Sequence, residues 1–217
     1  MKKGCDNLKI KLVNIEKKFK DNLIFSNVNL EFNSGKIYGL IGRNGSGKSV
    51  LLKMLCGFYV PSEGEIYLDD YNFIKNNEFP RDIGALIEKP SFLPNLTGYE
   101  NLKYLSNIQK KIDDNQIYST LKIVNLLDDK DKLYFKYSLG MKQKLGIAQA
   151  IMEDPEIIIL DEPFNGIELT TAKKIRKYLS SIKKNKIIII ATHIKDDLID
   201  FVDEIYEFND KKVRKYK

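Results

Sequence analysis

Three short segments of this chain carry residue types and spacings that suit the chemistry of phosphate groups. The first, residues 42–49, reads Gly-Arg-Asn-Gly-Ser-Gly-Lys-Ser and matches the full G-x-x-x-x-G-K-[ST] pattern of a phosphate-binding loop, or P-loop. Glycine permits positive φ and a close backbone approach, so successive N–H groups of such a loop can surround phosphate oxygens. Lys48 adds a point charge, and the Ser49 hydroxyl suits Mg²⁺. The motif predicts nucleotide binding, which many unrelated classes of protein share.

The P-loop lies between a predicted buried strand, residues 36–41, and a predicted helix, residues 47–56. The positive end of that helix would point at the phosphates. A glycine-rich turn with a chance lysine is the alternative, but it does not explain a full match placed between a strand and a helix. The expected nucleotide-binding residues are Gly42, Arg43, Asn44, Gly45, Ser46, Gly47, Lys48, Ser49 and Val50.

The second segment places two adjacent acids at the end of an aliphatic run. Asp161 and Glu162 follow residues 157–160 and precede Pro163. A carboxylate at the end of a buried strand is placed to reach Mg²⁺ through water. Two acids on a solvated sheet edge are the alternative, which the buried run ahead of them makes weak. His193, the only histidine of the chain, follows a similar apolar run one strand later.

The third segment, residues 137–143, reads Tyr-Ser-Leu-Gly-Met-Lys-Gln. Ser138 is a favourable N-cap for a helix that starts there. The free N–H groups of Leu139, Gly140 and Met141 would then form the positive start of that helix, which suits an anionic group.

Together, these three segments resemble the motif set of the ATP-binding cassette (ABC) ATPases, and the resemblance extends over essentially the whole chain. It implies that the chain binds ATP and Mg²⁺, with Ser49 and Asp161 on the metal. It also implies that Glu162 is the general base that polarises the attacking water, and that His193 is the switch histidine that contacts the γ-phosphate. In that family, residues 138–141 face ATP held by the P-loop of a second cassette, so a head-to-tail dimer is expected, either of two copies or with a different cassette.

Two residues around the expected nucleotide site are also compared with the family pattern. Phe19 corresponds to the aromatic residue that stacks on adenine in ABC domains, and such stacking needs only a π-face. An ordinary core or surface phenylalanine is the alternative. Val50 stands where a threonine hydroxyl commonly reaches the α-phosphate. Because Val50 keeps only its backbone N–H, we expect a loss of about 1 kcal/mol of binding free energy.

Four further positions depart from the family pattern. Leu139 and Met141 replace a glycine and a glutamine of the signature, and Glu168 replaces an aspartate in a segment that resembles the D-loop. Glu88 stands where a glutamine normally contacts the γ-phosphate and Mg²⁺. A carboxylate can still ligate Mg²⁺, so we expect Glu88 in the metal site. With residues 89–97 and the signature, Glu88 resembles the branch that exports bacitracin or lantibiotics.

Length and composition set the limits of these expectations. The 217 residues, 43% of them hydrophobic, suit one domain. No apolar run approaches the roughly 20 residues that span a bilayer, and the charged N-terminus leads into no signal-peptide core. We therefore expect a soluble, cytoplasmic protein, peripheral to the inner face of the cell membrane. Cys5 and Cys56 cannot form a disulfide framework, and Cys56 is expected in the core.

The net charge of +6 does not by itself indicate a nucleic-acid partner. The lysines are scattered among acids, which is typical of a solvated face rather than of a basic stripe. No nucleic-acid partner is expected. The basic tail, residues 211–217, is predicted to be an ordinary solvated end, with a position near an anionic leaflet as the alternative.

Hydrophobic periodicity predicts an α/β fold over residues 1–217 as a single domain. The fold class is a P-loop NTPase core with an N-terminal antiparallel β subdomain and an inserted helical subdomain at about residues 88–152, the arrangement of the ABC nucleotide-binding domain. The predicted strands cover residues 8–15, 28–32, 36–41, 65–68, 83–87, 157–160, 186–191 and 204–208. The predicted helices cover residues 47–56, 97–109, 115–127, 138–154 and 169–183.

The resemblance implies the ATP-hydrolysing subunit of an ABC transporter whose membrane-spanning permease subunits are separate chains. Its branch suggests export of an antimicrobial peptide or similar compound. Residues 88–104 are the expected docking surface, where Phe92, Leu93 and Tyr99 either receive a short helix of the permease or fill the core of the helical subdomain. The alternative is a non-transport ABC ATPase acting on nucleic acid or ribosomes, although such chains usually carry a coiled-coil insertion or two cassettes. A P-loop kinase would not explain the signature, and a binding-only cassette would not need an intact base.

Overall fold

The computed structural model describes residues 8–76 and 78–217. Cys5, and with it the expectation that the cysteines form no disulfide, lies outside the described residues. The strands are β1 (Lys9–Phe19), β2 (Asn22–Asn33), β3 (Lys36–Gly42), β4 (Glu63–Leu68), β5 (Ile83–Leu86), β6 (Ile157–Asp161), β7 (Ile187–Thr192), β8 (Glu204–Asn209) and β9 (Lys212–Lys215). The α-helices are α1 (Lys48–Leu55), α2 (Gly98–Gln109), α3 (Asp114–Ile123), α4 (Leu139–Ile151) and α5 (Leu169–Ile182).

The larger sheet brings the ends of three sequence-distant strands to one edge. Its strand order is β5-β6-β7-β3-β8-β9, and the strands from β5 to β8 run parallel. In this register Ile41 lies opposite Thr192, and Asp161 lies opposite Ala191. The P-loop after β3, the acids at the end of β6 and the histidine after β7 therefore meet. The predicted α/β fold class is confirmed.

The alternation of side chains along β6 and β7 divides their isoleucines between two cores. Ile159 and Ile189 pack with α1 and the smaller antiparallel sheet, whose order is β2-β1-β4. Ile158 and Ile188 face the opposite way and pack with residues of α3, α4 and α5. Both strands are buried along their whole length, as expected of central parallel strands.

Helix ends follow local side-chain chemistry. The capping box predicted at Thr97 and Glu100 is present at the start of α2. A second one, formed by Asp113 and Gln116, starts α3. The α4 helix ends three residues earlier than predicted, because the chain turns before Pro155 with Asp154 at a φ of +53°. The α3 helix ends at Ile123, four residues before its predicted end, and a short 3-10 turn begins at Leu127. The remaining helices lie within one residue of their predicted bounds, and Cys56 is buried as expected.

The side chains of the basic tail are exposed, as predicted, apart from the half-buried Val213, but residues 212–215 are also part of the larger sheet. These form β9, which pairs antiparallel with β8. Asp210 and Lys211 between the strands both have positive φ, the conformation that a two-residue hairpin turn requires. Val213 packs against the core beneath the smaller sheet. Little in the sequence indicates this strand, because Val213 is its one apolar residue and basic residues flank it.

Candidate functional site

The P-loop closes around the ammonium group of Lys48. This side chain is buried, and its Nζ donates hydrogen bonds to the carbonyl oxygens of Gly42, at 2.7 Å, and of Arg43, at 3.2 Å. Burial lowers the pKa of Lys48, while the charges of Glu162 and Asp161 act in the opposite direction. A phosphate would give this partly desolvated cation the counter-charge that it lacks in the loop.

Gly47 sets how closely β2 approaches the start of α1. Its φ is +104°, and a Cβ built there would lie 2.8 Å from the side chains of both Ile24 and Phe25. Any other residue would be strained in conformation and would push β2 away. The start of α1, with its free N–H groups, is therefore fixed against the smaller sheet.

Ser49 and Asp161 present oxygen atoms that fit a magnesium ion. The pKa of Asp161 is raised because burial, the larger effect, outweighs a hydrogen bond from Ser49 that lowers it. Among the described residues, Asp161 Oδ1 is buried without a hydrogen-bond partner, which is costly for a carboxylate oxygen. A hard cation would satisfy it. The described residues include no cluster of three or more His, Cys, Asp or Glu that could hold a metal.

Glu162 is held at a single orientation by the two residues at the end of β7. Its Oε1 accepts a hydrogen bond from the backbone N–H of His193 and lies 2.9 Å from His193 Nδ1. Its Oε2 accepts a hydrogen bond of 2.9 Å from Thr192 Oγ1. Glu162 has a φ of +47°, and its carbonyl oxygen accepts a hydrogen bond from Gln143 Nε2. Such a partly exposed carboxylate is placed to take a proton from a water molecule.

Open space lies on both sides of the P-loop. A cavity of about 460 Å³ is lined by Gly42, Arg43, Asn44, His193 and residues of β8. A second, of about 320 Å³, lies beside the same loop residues and the start of β2. Because Glu162 occupies Nδ1 of His193, the other ring nitrogen is left to meet a ligand.

Phe19 and Val50, the two residues expected at the adenine and the α-phosphate, lie in different environments. Phe19 ends β1 and is 40% exposed. Its ring meets the Tyr59 ring edge-on at 5.4 Å, and Lys17 Nζ lies 4.7 Å from its centroid. An exposed ring held in this way offers a surface for stacking. Val50 is half-buried and packs against the core.

The start of α4 is built as an exposed N-terminus that touches the loop after β6. Ser138 caps it, since its Oγ accepts a hydrogen bond from the N–H of Met141. Leu139 is 66% exposed. A Cβ added at Gly140 would lie 2.3 Å from the carbonyl oxygen of Gly166, so only glycine permits this contact. None of residues 138–141 lines either cavity beside the P-loop.

Glu88 lies near enough to Asp161 for its charge to raise the pKa of Asp161, but its own carboxylate is paired elsewhere. It follows β5 with a φ of +63°, its side chain is 64% exposed, and its carboxylate pairs with Lys53 of α1. Lys53 lies four residues after Ser49, one helical turn along, and competes for the carboxylate that we expected at the metal. The expected role of Glu88 as a metal ligand stays a prediction, and in this structure its carboxylate is paired with Lys53.

Known proteins resemble this chain in sequence. A sequence model described as ABC transporter matches residues 25–165. The chain belongs to the ABC transporter family. It is 41% identical to the uncharacterized ABC transporter ATP-binding protein YybJ of Bacillus subtilis (strain 168), over 92% of each chain. It is 38% identical to the bacitracin transport ATP-binding protein BcrA of Enterococcus faecalis, over 90% of this chain but only 65% of the length of BcrA.

Solved ABC structures share the fold. A dimeric bacterial ABC transporter cassette, MJ0796, superposes with a TM-score of 0.84 at 26% identity, over 96% of this chain and 99% of the other. A bacterial Atm1-family ABC exporter with ATP bound gives 0.85 at 19% identity, over 96% of this chain and 38% of that one, and shows the fold alone. The chain is therefore an ABC ATP-binding subunit, and its family implies ATP hydrolysis.

Sequence reasoning missed several residues that support the site in this ABC cassette. Thr192 and Gln143 bind Glu162, and the buried Lys144 forms an ion pair of 3.0 Å with Glu168 in the loop after β6. The sequence signal was weak: Thr192 reads as the end of a strand, and the other two read as polar positions on a helix. Among the described residues, no helix is long and apolar enough to cross a membrane.

Proposed function

We propose that this cassette hydrolyses ATP in a Mg²⁺-dependent reaction that drives a membrane exporter. The observation that carries the proposal is the fixed Glu162 carboxylate, held by His193 and Thr192 beside the P-loop. Lys48 and the loop N–H groups bind the β- and γ-phosphates, while Ser49 and Asp161 hold Mg²⁺. When bound, Mg²⁺ neutralises charge on the phosphates.

In this mechanism Glu162 accepts a proton from the attacking water as the water oxygen bonds to the γ-phosphorus. The bond to the oxygen between the β- and γ-phosphorus atoms breaks, and ADP and phosphate form. His193, oriented through Nδ1, contacts the γ-phosphate and the water with its other nitrogen. Phe19 stacks on the adenine, and Val50 contributes only its backbone N–H.

The hydrolytic unit we propose is a head-to-tail dimer. Residues 138–141 do not line the cavities beside their own P-loop, and the capped, exposed start of α4 suits a phosphate held by a second cassette. The dimeric form of the related cassette supports this arrangement.

The proposed transport function rests on the relatives and on one groove. BcrA is named for bacitracin transport and SrtF of Streptococcus pyogenes, 34% identical over 91% of this chain and 87% of its own, for lantibiotic transport. An antimicrobial peptide or similar compound is therefore the proposed substrate. A groove of about 560 Å³ lies between the end of α2 and β5, with Phe79 and Ile108 exposed at its rim.

We propose that a short helix of a separate permease docks in this groove, which would place the cassette at the inner face of the membrane. This groove differs from the docking surface first expected at residues 88–104, since Phe92, Leu93 and Tyr99 do not line it. Leu93 is 48% exposed, while Phe92 and Tyr99 pack on the core of the helical part, residues 88–152. Phe92 and Tyr99 therefore support the neighbouring surface rather than form it.

The test is co-expression with candidate ABC permease chains. Cells that carry both are expected to survive bacitracin or a lantibiotic better than cells with either alone, and membranes from them to hydrolyse ATP faster when peptide is added. Stimulation by RNA or ribosomes, with no response in membranes, would instead support the non-transport alternative.

A further inference from the structure

Thr192 is a buried hydroxyl at the centre of the site. It is the last residue of β7, and only 3% of its surface is exposed. Its Oγ1 donates to Glu162 Oε2 at 2.9 Å and accepts a hydrogen bond of 3.1 Å from the N–H of Ile194. The hydroxyl thus has both a donor and an acceptor role, and its direction is set.

The two oxygens of Glu162 are held from different sides. His193 fixes Oε1, and Thr192 fixes Oε2. The Nδ2 of Asn165 also approaches Oε2, but at 3.5 Å, the limit of a hydrogen bond. Without Thr192, a carboxylate held at one oxygen can turn about its terminal bond, because that torsion is broad and has no strongly preferred angle.

We infer that Thr192 is a positioning residue that fixes the plane of the Glu162 carboxylate for proton transfer. The role of Thr192 rests on the proposed role of Glu162 as the base. Thr192 does not contact the attacking water in this account. Its effect is confined to the catalytic step, since a carboxylate turned away from the water still leaves the P-loop free to bind nucleotide.

The test compares Thr192→Val with Thr192→Ser. Valine has a similar shape but lacks the hydroxyl, so it also removes the acceptor of the Ile194 N–H, whereas serine keeps the hydroxyl. For Val we expect kcat about tenfold lower, the size of one hydrogen bond to a charged group, with KM and ATP affinity within about twofold of the parent. Ser is expected to restore kcat to within about threefold. Parent-like kcat in Thr192→Val, or equal losses in both variants at unchanged thermal stability, would overturn the inference.

A second comparison separates positioning from stability and from failure of the proposed base. In a Glu162→Ala background there is no carboxylate to orient, so Thr192→Val should lower the residual single-turnover rate by less than about twofold. A tenfold loss there would show that Thr192 acts elsewhere, through the turn at Ile194. If Glu162→Ala alone keeps the parent rate, the proposed function fails; if Glu162→Ala loses activity while Thr192→Val keeps it, only the role of Thr192 fails.

Discussion

Glu162 and Glu88 follow neighbouring strands of one sheet, and the structure treats them differently. Both have positive φ, at +47° and +63°. The Glu162 side chain is 23% exposed and accepts hydrogen bonds from a backbone N–H and a buried hydroxyl. The Glu88 side chain is 64% exposed and pairs with one flexible lysine, Lys53. The first carboxylate therefore has one position, while the second is held by an exposed ion pair worth about 0–1 kcal/mol and is free to leave it.

This difference suits two kinds of task. A base that must meet a water molecule gains from a fixed orientation. A residue that relays the state of the nucleotide to a docking surface needs two positions of similar free energy. In this cassette, Lys53 would hold Glu88 in one state and the metal site would hold it in the other.

The largest effect on ATP binding is expected at Lys48. Lys48→Ala should weaken ATP binding about a hundredfold, because no other P-loop side chain supplies a buried positive charge to the phosphates. Lys53→Ala is the matched control. It removes a positive charge from the same helix, at the residue that pairs with Glu88, and should change ATP affinity by less than about twofold. Titration with labelled ATP measures both. Equal losses of ATP affinity in the two variants would contradict a specific role of Lys48 in binding the phosphates.

A smaller and more selective effect is expected at Glu88. Glu88→Ala should reduce peptide export more than ATPase activity, by about 1–3 kcal/mol of lost contact, and Glu88→Gln should be milder because the amide keeps an oxygen ligand. Resistance in cells, set beside ATPase rates of the same variants in membranes, gives the comparison. Equal losses would leave Glu88 catalytic without coupling. No loss in either assay would make it an ordinary surface carboxylate.

Glu204 shows how several hydrogen bonds change the pKa of a carboxylate that lies outside the site. Burial raises its pKa, but hydrogen bonds from Lys36, Lys215 and Tyr206 outweigh burial and lower the pKa from 4.5 to about 2. Its stabilising contribution is therefore complete above pH 4.5 and is lost as the pH falls towards 2. The parent should exceed Glu204→Gln in free energy of unfolding at pH 6, and that difference should shrink at pH 3. A difference that stays constant in urea titrations at both pH values would contradict this.

The sequence predicted the parts of the fold that rest on continuous patterns. The isoleucine runs of β6 and β7 predict buried parallel strands, which the structure shows. The carboxyl ends of parallel strands lie at the same edge of a sheet. Motifs fixed to those ends, at Lys48 and Asp161, could therefore be expected to meet. The β9 strand could not, because one apolar residue, Val213, anchors it among lysines.

The sequence could not predict which of several possible partners a polar side chain binds. Glu88 could be assigned to a metal from its position, but the nearness of Lys53 depends on how β5 lies against α1. Thr192 was equally hidden, since a threonine at a strand end has no distinguishing pattern until the neighbouring strand places Glu162 beside it. Both facts arise from tertiary contacts rather than from local preference.

If Glu162 is the base, it acts in hydrolysis, while the P-loop binds ATP without it. Glu162→Gln keeps the size of the side chain and removes its ability to take a proton. We expect ATP affinity within about threefold of the parent, a hydrolysis rate lower by a factor of about 10²–10⁴, and an ATP-dependent dimer on size-exclusion chromatography in the presence of Mg²⁺. Hydrolysis by Glu162→Gln at the parent rate would show that Glu162 is not the base.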